Sequence, residues 1–163
     1  MKLKQKPNAF TLIELLVVIS VIGFLASVIM VSLNSARVKA RAARAAGDLR
    51  QLANVLSLYL ADQGVYPCFD HVWGDLREFT WAQPYAKWPV SPWNTNYHWE
   101  HGTVGFTFSI SVMVPLAEAQ DLDKAIDDNN FSTGTIRAGG IADSVRLEYG
   151  GMDQSVPLID CHI

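Results

Sequence analysis

Hydrophobic residues are concentrated near the start of the chain. Residues Phe10 to Leu33 form a run of 24 residues whose only charged side chain is Glu14. As a helix this run would extend about 36 Å, which is enough to cross a bilayer. The pattern therefore predicts a membrane-spanning helix over residues 10–33.

The pattern becomes amphipathic between Arg37 and Gln63. Apolar positions recur there at alternating spacings of four and three residues, which is typical of one helical stripe. The positions are Val38, Ala42, Ala45, Leu49, Leu52, Leu56 and Tyr59. Gly64 and Pro67 provide a stop. We therefore expect one helix of about 80 Å from about Phe10 to Asp62, with residues 34–63 as its amphipathic continuation. A two-helix coiled coil is the alternative, but alanine at two successive stripe positions favours packing on a sheet of the same chain.

Residues 64–163 are expected to form a globular domain. Strict alternation from Phe106 to Val114 predicts a half-buried strand, with Tyr97 to Glu100 as its hairpin partner. A short helix is expected after Pro115, with inward-facing Leu116, Ala119, Leu122 and Ile126, and a last strand at Val145, Leu147 and Tyr149. The predicted fold class is α+β: a long N-terminal helix with a small antiparallel β-sheet packed on its C-terminal half.

Charged residues flank the apolar run on both sides. Three lysines within residues 2–6 favour a cytoplasmic N-terminus. A basic cluster follows the run: Arg37, Lys39, Arg41, Arg44 and Arg50. Counting charges therefore leaves the orientation open. The cluster could contact solvent or lipid headgroups, acidic surfaces of neighbouring subunits, or DNA, although the formal net charge of −3 gives no general reason to expect nucleic acid.

Glu14 is the residue that a plain membrane anchor does not explain. A charged side chain deep in a membrane helix costs about 2.5–3.5 kcal/mol, so an accidental carboxylate would be expected at an end of the run. A cleaved secretory signal would have a shorter apolar region. The string Ala9-Phe10-Thr11-Leu12-Ile13-Glu14 resembles the cleavage and methylation signature of type IV prepilins and type II secretion pseudopilins.

That resemblance implies a processing site and an assembly residue. A prepilin peptidase would remove residues 1–9 as a basic leader by cutting between Ala9 and Phe10, and would N-methylate Phe10. Glu14 would then lie four residues after a new positive amine, on the same helix face. It could neutralise its own amine or a neighbour's, and the family pattern favours the neighbour. Two features depart from the family. Ala9 stands in place of the usual Gly, and the apolar span has no proline, so that Gly23 is the residue that weakens its helix.

A second stretch supports the same resemblance. Trp88 to Tyr97, with sequence WPVSPWNTNY, is similar to the pseudopilin segment in which a Pro-Trp pair precedes an Asn and an aromatic residue. We expect Trp93 to pack on the helix, and Asn94 and Asn96 to turn the chain into the first strand.

The candidate chemistry beyond this motif is sparse. No nucleophile elbow, phosphate loop or HExxH motif is present, so we do not expect an enzyme. His98 and His101 are expected in a surface turn. The acidic run (Asp121, Asp123, Asp127, Asp128, Asn129 and Asn130) is expected to be a helix end with an Asn-rich cap, although its oxygen atoms also suit Ca²⁺.

The two cysteines are far apart in the chain. Cys68 and Cys161 form no CxxC pair, which excludes a zinc site of the usual spacing. Both fall in the part expected outside the cytoplasm, where disulfides persist. We expect a Cys68–Cys161 disulfide, the alternative being two buried thiols.

The function implied by the resemblance is structural. The chain would be a subunit of a type IV pilus or of a type II secretion pseudopilus, anchored in the cytoplasmic membrane by one pass, with its C-terminal domain outside. Its partners would be the prepilin peptidase, itself and other pilins, membrane lipid, and the inner-membrane assembly platform with its ATPase. The alternatives are a minor pilin acting as a binding or DNA-uptake tip, and a membrane-anchored protein that does not polymerise.

Overall fold

The computed structural model describes residues 10–67, 74–75, 88–103, 106–140 and 144–156. The chain divides into two compact units, one up to Arg37 and one from Val38 onwards. Helix α1 (Leu12–Gln63) runs through both. Among the described residues of the first unit every side chain is exposed, so no described part of the chain covers the apolar run.

Helix α1 has the bounds that its pattern predicts, to within two residues at each end. It ends where Gly64 adopts a φ of 77° and donates its backbone N–H to the Leu60 carbonyl at 2.7 Å. This left-handed cap is cheap for glycine, because a side chain at such a φ would be strained. The stop predicted at Gly64 is confirmed.

The second unit contains a five-stranded antiparallel sheet and a second helix. The elements are β1 (Gly74–Asp75), β2 (Tyr97–Thr103), β3 (Phe106–Pro115), α2 (Leu116–Ile126), β4 (Ile136–Gly140) and β5 (Ser144–Tyr149). The strand order is β1-β2-β3-β5-β4. The hairpin of β2 and β3 and the last strand β5 confirm the α+β prediction; β1 and β4 were not predicted.

The core lies between one face of this sheet and the amphipathic part of α1. Leu49, Leu52 and Leu56 of the helix stripe are buried in one cluster with Trp99 and Ile110 of the sheet. The stripe therefore packs on a sheet of the same chain, as expected. Tyr97 adds a hydrogen bond between the sheet and the helix, since its hydroxyl donates to Asp48 Oδ2 at 3.0 Å. Burial, together with the negative charge of Asp48, raises the pKa of Tyr97 above its usual value.

Two predictions about side-chain direction are wrong. Leu116 was expected to face inward but is 56% exposed, and the buried position on α2 is taken instead by Asp123. Strand β3 was expected to be half-buried, yet Ser109 and Ser111 on its polar face are as buried as the apolar residues between them. Polarity indicated which face each β3 residue occupies, but it did not indicate that both faces are covered.

The polar face of the sheet contains a buried ionic group. Glu100 and Glu148 are fully buried. Arg146 Nη1 lies 3.5 Å from Glu100 Oε2, and Arg146 Nη2 lies 2.9 Å from Glu148 Oε1. Ser111 donates its hydroxyl to Glu100. Register brings these residues together, since Ser111 pairs with Glu148 across β3 and β5.

Candidate functional site

The start of helix α1 is closed by a reciprocal pair of side chains, Thr11 and Glu14. Glu14 Oε2 accepts hydrogen bonds from the Thr11 backbone N–H and from the Thr11 hydroxyl, both at 2.8 Å. The Glu14 backbone N–H donates to Thr11 Oγ1 at 3.2 Å. This is a capping box, which satisfies backbone donors that the first helical turn leaves unpaired. Glu14 Oε1 accepts no hydrogen bond from the residues that the structure describes.

The residues around this pair are apolar and open. Phe10 is 81% exposed and Ile13 is 75% exposed. Within the described ranges, α1 is the one helix that is long and apolar enough to cross a membrane. Its apolar part must therefore be covered by lipid or by other chains, because its exposure to water would be costly. Ala9, on the other side of the predicted cleavage point, lies outside the described residues.

The basic cluster after the apolar run is only partly available to partners. Arg41 pairs with Glu118 at 2.5 Å, and Arg44 Nη2 donates to the Val90 carbonyl at 3.1 Å. Arg50 Nη2 makes a longer contact of 3.4 Å with the Ala125 carbonyl. Arg37 and Lys39 are exposed and make no such contact with a described residue. These two are the members of the cluster that remain open to a lipid headgroup or a neighbouring chain.

The Pro-Trp segment forms a tight turn that leads into β2. Asn94 adopts a left-handed φ of 58° and donates its N–H to the Ser91 carbonyl at 3.0 Å. Thr95 N–H donates to Ser91 Oγ at 3.1 Å, and the Thr95 hydroxyl donates to the Met113 carbonyl at 3.1 Å. Asparagine tolerates this conformation better than most residues, so the turn predicted at Asn94 is confirmed.

Glu118 connects three elements at this turn. Its Oε2 accepts a hydrogen bond from Trp93 Nε1 at 2.8 Å, and its Oε1 pairs with Arg41. Trp93 is partly buried and packs against the core cluster, as predicted. The carboxylate of α2 thus holds both the Pro-Trp turn and the first turns of the amphipathic helix. No local signal marks Glu118 in the sequence, because its partners are distant in the chain.

A group of carboxylates lies at the C-terminal end of α2 and in the residues that follow it. Oxygen atoms of Asp123, Asp127 and Asp128 lie within 4.8 Å of one another, and we call these three residues the acidic corner. Asp127 Oδ2 accepts from the backbone N–H of Thr135 and, at 3.2 Å, from that of Ile136. Asp128 accepts from the Asn130 N–H at 2.9 Å and from the Thr133 hydroxyl at 2.8 Å. The helix end predicted within this acidic run is present at Ile126, but its C-cap residue is Asp127 and not one of the asparagines.

Asp123 differs from the other two members of the acidic corner. It is fully buried, and neither of its carboxylate oxygens accepts a hydrogen bond from any described residue. Burial, with the charges of Asp128 and Asp127, raises the pKa of Asp123 to about 6. A buried carboxylate without partners is costly. The corner thus has a surplus of oxygen acceptors and negative charge, which is the donor set that hard divalent cations prefer.

Close packing keeps the acidic corner compact. Gly134 has a φ of 75°, and a Cβ atom at this position would collide with the Asp127 carboxylate. Only glycine fits both the conformation and the space. The loop between α2 and β4 is therefore shaped around Asp127.

The remaining predicted sites lie partly outside the described residues. His98 and His101 lie in strand β2 and not in the surface turn that was expected. Cys68 and Cys161 both lie outside the described residues, and the disulfide stays a prediction.

Comparison with known proteins yields matches both to the N-terminal motif and to the part of the chain that follows it. Residues 4–30 match the family model of the prokaryotic N-terminal methylation motif, and residues 32–120 match that of type II secretion system protein G. Three curated relatives, each named type II secretion system core protein G, illustrate the similarity. The relative from Escherichia coli is 32% identical over 107 residues, covering 60% of this chain and 74% of the relative.

The other two relatives extend the comparison. That from Vibrio cholerae is 31% identical over 108 residues, covering 61% of this chain and 74% of the relative. That from Dickeya chrysanthemi is 26% identical over 153 residues, covering 85% of this chain and 96% of the relative. No solved structure matches the chain.

The methylation motif, the exposed apolar helix and the small α+β unit define a membrane-anchored pilin-like subunit, a structural protein and not an enzyme. Within that class, the chain belongs to the type II secretion system protein G family, which is a family of pseudopilins.

Proposed function

We propose that this chain is a filament subunit of a type II secretion pseudopilus. A prepilin peptidase removes residues 1–9 and methylates Phe10, and the mature chain enters the filament through the apolar part of α1. The observation that carries the proposal is the exposed apolar helix that begins, directly after the predicted cleavage point, with the Thr11–Glu14 pair.

The chemistry of the mature N-terminus supports this proposal. Cleavage before Phe10 creates an amine four residues before Glu14. Both charges then lie in an apolar environment, where each is costly unless it is compensated. Glu14 Oε2 is held by Thr11, while Oε1 is open to a further donor. We infer that this donor is the Phe10 amine of a neighbouring subunit, so that the ion pair sets the register between subunits.

The orientation and the remaining partners follow from the same proposal. Residues 1–9 are cut on the cytoplasmic side, and the unit from Val38 onwards lies outside the cytoplasm. Assembly requires the inner-membrane platform and its ATPase, other pseudopilins and further copies of this chain.

Mass spectrometry and genetic complementation test the proposal together. Protein extracted from membranes of cells with an active prepilin peptidase should lack residues 1–9 and carry about one additional methyl group at Phe10. The gene should also restore secretion in a host that lacks its own protein G. A full-length, unmethylated chain would contradict the processing step, and correct processing without restored secretion would contradict the pseudopilus role.

We further propose that the acidic corner holds a divalent cation, with Ca²⁺ the best fit to an all-oxygen donor set. The supporting observation is Asp123, a buried carboxylate without a hydrogen-bond donor among the described residues. Asp127 and Asp128 already use oxygens on backbone and hydroxyl donors, so Asp123 and the remaining Asp127 oxygen are the atoms free for the ion. A bound cation would fix the loop between α2 and β4.

Thermal unfolding of the full chain in detergent, with Ca²⁺ or with a chelator, tests the cation proposal. Ca²⁺ should raise the Tm of the wild-type protein. Asp123→Asn should abolish this increase and should make the chelated protein no less stable, because it removes a buried charge. Asp121→Asn, a half-buried aspartate of the same helix that is not part of the acidic corner, is the matched control and should keep the response to Ca²⁺. A wild-type Tm that does not change with Ca²⁺ would overturn the cation site.

A further inference from the structure

One end of the second unit combines exposed apolar side chains with unpaired positive charge. Among the described residues after Leu33, the exposed large hydrophobic side chains are Leu58, Val90 and Leu116. Val90 is held beside Arg44 by a hydrogen bond of 3.1 Å to its carbonyl. Leu116 is two residues before Glu118, which pairs with Arg41. Val90 and Leu116 therefore lie close to residues 41–44 of α1.

The direction of α2 shows which end of the unit this is. Glu118 contacts Arg41, and Ala125, seven residues later, contacts Arg50. Helix α2 consequently runs in the same direction as α1, and it begins at the end of the unit that is nearest in the chain to the apolar run. We call this end the proximal rim, defined by Lys39, Val90, Trp93 and Leu116.

The proximal rim also has an apolar hollow. A pocket of about 390 Å³ is lined by Trp93, Thr95, Met113, Val114, Pro115 and Ser144. Its walls are mostly apolar, and Pro115 immediately precedes Leu116. The rim is thus an amphipathic surface, with a tryptophan and aliphatic side chains next to basic residues.

Charge at the rim favours an anionic partner. Among the described residues, two acidic side chains contact members of this region and both are engaged internally: Glu118 by Arg41 and Trp93, and Asp48 by Tyr97 and Arg44. Lys39 is exposed and makes no ionic contact with a described residue, whereas Arg44, although 60% exposed, lies 3.9 Å from Asp48 Oδ2. Exposed basic residues combined with aromatic and aliphatic side chains are typical of protein surfaces that rest on anionic lipid.

The chain itself limits how far this rim can lie from lipid. Lys39 follows Leu33, the last residue of the apolar run, by six residues. Six residues span roughly 9 Å as a helix and about 20 Å fully extended. While the apolar run is in a membrane, Lys39 therefore stays within reach of the lipid headgroups.

We propose that the proximal rim docks on anionic phospholipid headgroups while the chain is stored in the membrane. Lys39 contacts phosphate groups, and Val90, Trp93 and Leu116 enter the interfacial layer. Docking orients the second unit before the chain leaves the membrane. This inference rests on membrane anchoring and goes beyond the proposed filament role. A failure of the docking proposal would therefore leave the filament proposal intact, and the reverse also holds.

Hydrogen–deuterium exchange of the full chain in lipid nanodiscs tests the docking. The first-turn amides of α2 have no side-chain cap, so they report directly on whether the rim is covered. Exchange over residues 88–94 and 115–119 should be slower in discs that contain phosphatidylglycerol than in discs of phosphatidylcholine alone. High salt should remove the difference.

Variants make the test specific. Lys39→Gln should reduce the lipid-dependent protection by about fivefold, the factor expected for one basic residue at an anionic surface. Leu116→Ser should also reduce it, whereas Leu58→Ser, at an equally exposed leucine far along α1, should not. Equal exchange in both lipids would overturn the proposal. Protection that follows the number of chains per disc, and not lipid charge, would identify a second copy as the occupant and would also overturn it.

Discussion

Glu14 and Thr11 form a small structural unit within one chain, before any partner is considered. Their three hydrogen bonds involve one carboxylate oxygen, one hydroxyl and two backbone N–H groups. The sequence identified Glu14 because a lone charge in an apolar run is costly. It did not identify Thr11, because that argument considered charges and not unpaired backbone donors. The local signature Thr-x-x-Glu could have found it.

A substitution at Trp93 tests the hydrogen bond that its indole N–H donates to Glu118. Trp93→Phe keeps an aromatic ring but removes the indole N–H that donates to Glu118 at 2.8 Å. Because this hydrogen bond involves a charged acceptor, we expect the free energy of unfolding to fall by about 1.5–3 kcal/mol. Urea denaturation of the full chain in detergent, followed by circular dichroism, measures the change. Val90→Ala in the same turn is the control, and equal midpoints for the two variants would contradict the role of the hydrogen bond.

At the level of elements, the long helix could be predicted and part of the sheet could not. Helix α1 combines an apolar run, a stripe of helical period and a glycine stop, which all indicate the same structure. Strand β3 alternates without interruption, which marks it as a strand, although alternation alone does not set its register with β2 and β5. Strand β4, by contrast, ends in Gly139 and Gly140, and glycine has low strand propensity, so no local signal marked it.

The buried ionic group on the sheet was also beyond prediction from one sequence. Glu100 and Arg146 lie far apart in the chain and are brought together by strand register. Charged residues are rarely buried unless they are paired, and a single sequence does not reveal pairs between distant strands. For the same reason, the alternation of β3 predicts a solvent-facing side, whereas in the fold that side is buried.

Arg146→Met tests how much the sheet depends on that group. Glu100 and Glu148 are fully buried, and Arg146 is the described cation that contacts both. Removing one side of a buried ion pair leaves a charge in the interior, so we expect a loss of roughly 3–5 kcal/mol in the free energy of unfolding. The measurement is the same urea titration. Arg50→Met, which removes an exposed cation, should change stability far less; equal losses would show that Arg146 acts only as a surface charge.

For the whole molecule, the predicted disulfide would close a long loop. Cys68 and Cys161 would tie the segment after α1 to the C-terminal end, enclosing roughly 90 residues and contributing up to about 4.7 kcal/mol in the chain-entropy model. Non-reducing peptide mapping of protein taken from outside the cytoplasm should recover the two cysteines in one linked pair. Reductant should lower the urea midpoint of the wild type but not that of a Cys68→Ser, Cys161→Ser double variant. Recovery of both thiols alkylated without prior reduction would contradict the prediction.

Assembly is the property of the whole molecule that depends on Glu14, and two variants separate its roles. Glu14→Gln removes the charge, but glutamine can still complete a capping box. Thr11→Val removes the capping hydroxyl and leaves the carboxylate in place. If the carboxylate pairs with a neighbour's Phe10 amine, Glu14→Gln is cut normally, stays in the membrane and does not enter filaments, whereas Thr11→Val assembles.

The expected size of the effect follows from the cost of an uncompensated charge. An uncompensated charge in the membrane costs roughly 2.5–3.5 kcal/mol. If the ion pair offsets only about 1.4 kcal/mol of this cost, the assembly equilibrium changes tenfold. Filament yield from Glu14→Gln should therefore fall at least about tenfold. Sheared filaments and membrane fractions, blotted side by side, measure this yield. If Glu14 served only as a cap, the order would reverse: Glu14→Gln would give wild-type yield and Thr11→Val would fail. That outcome would remove the inter-subunit ion pair from the assembly mechanism while leaving the processing site intact.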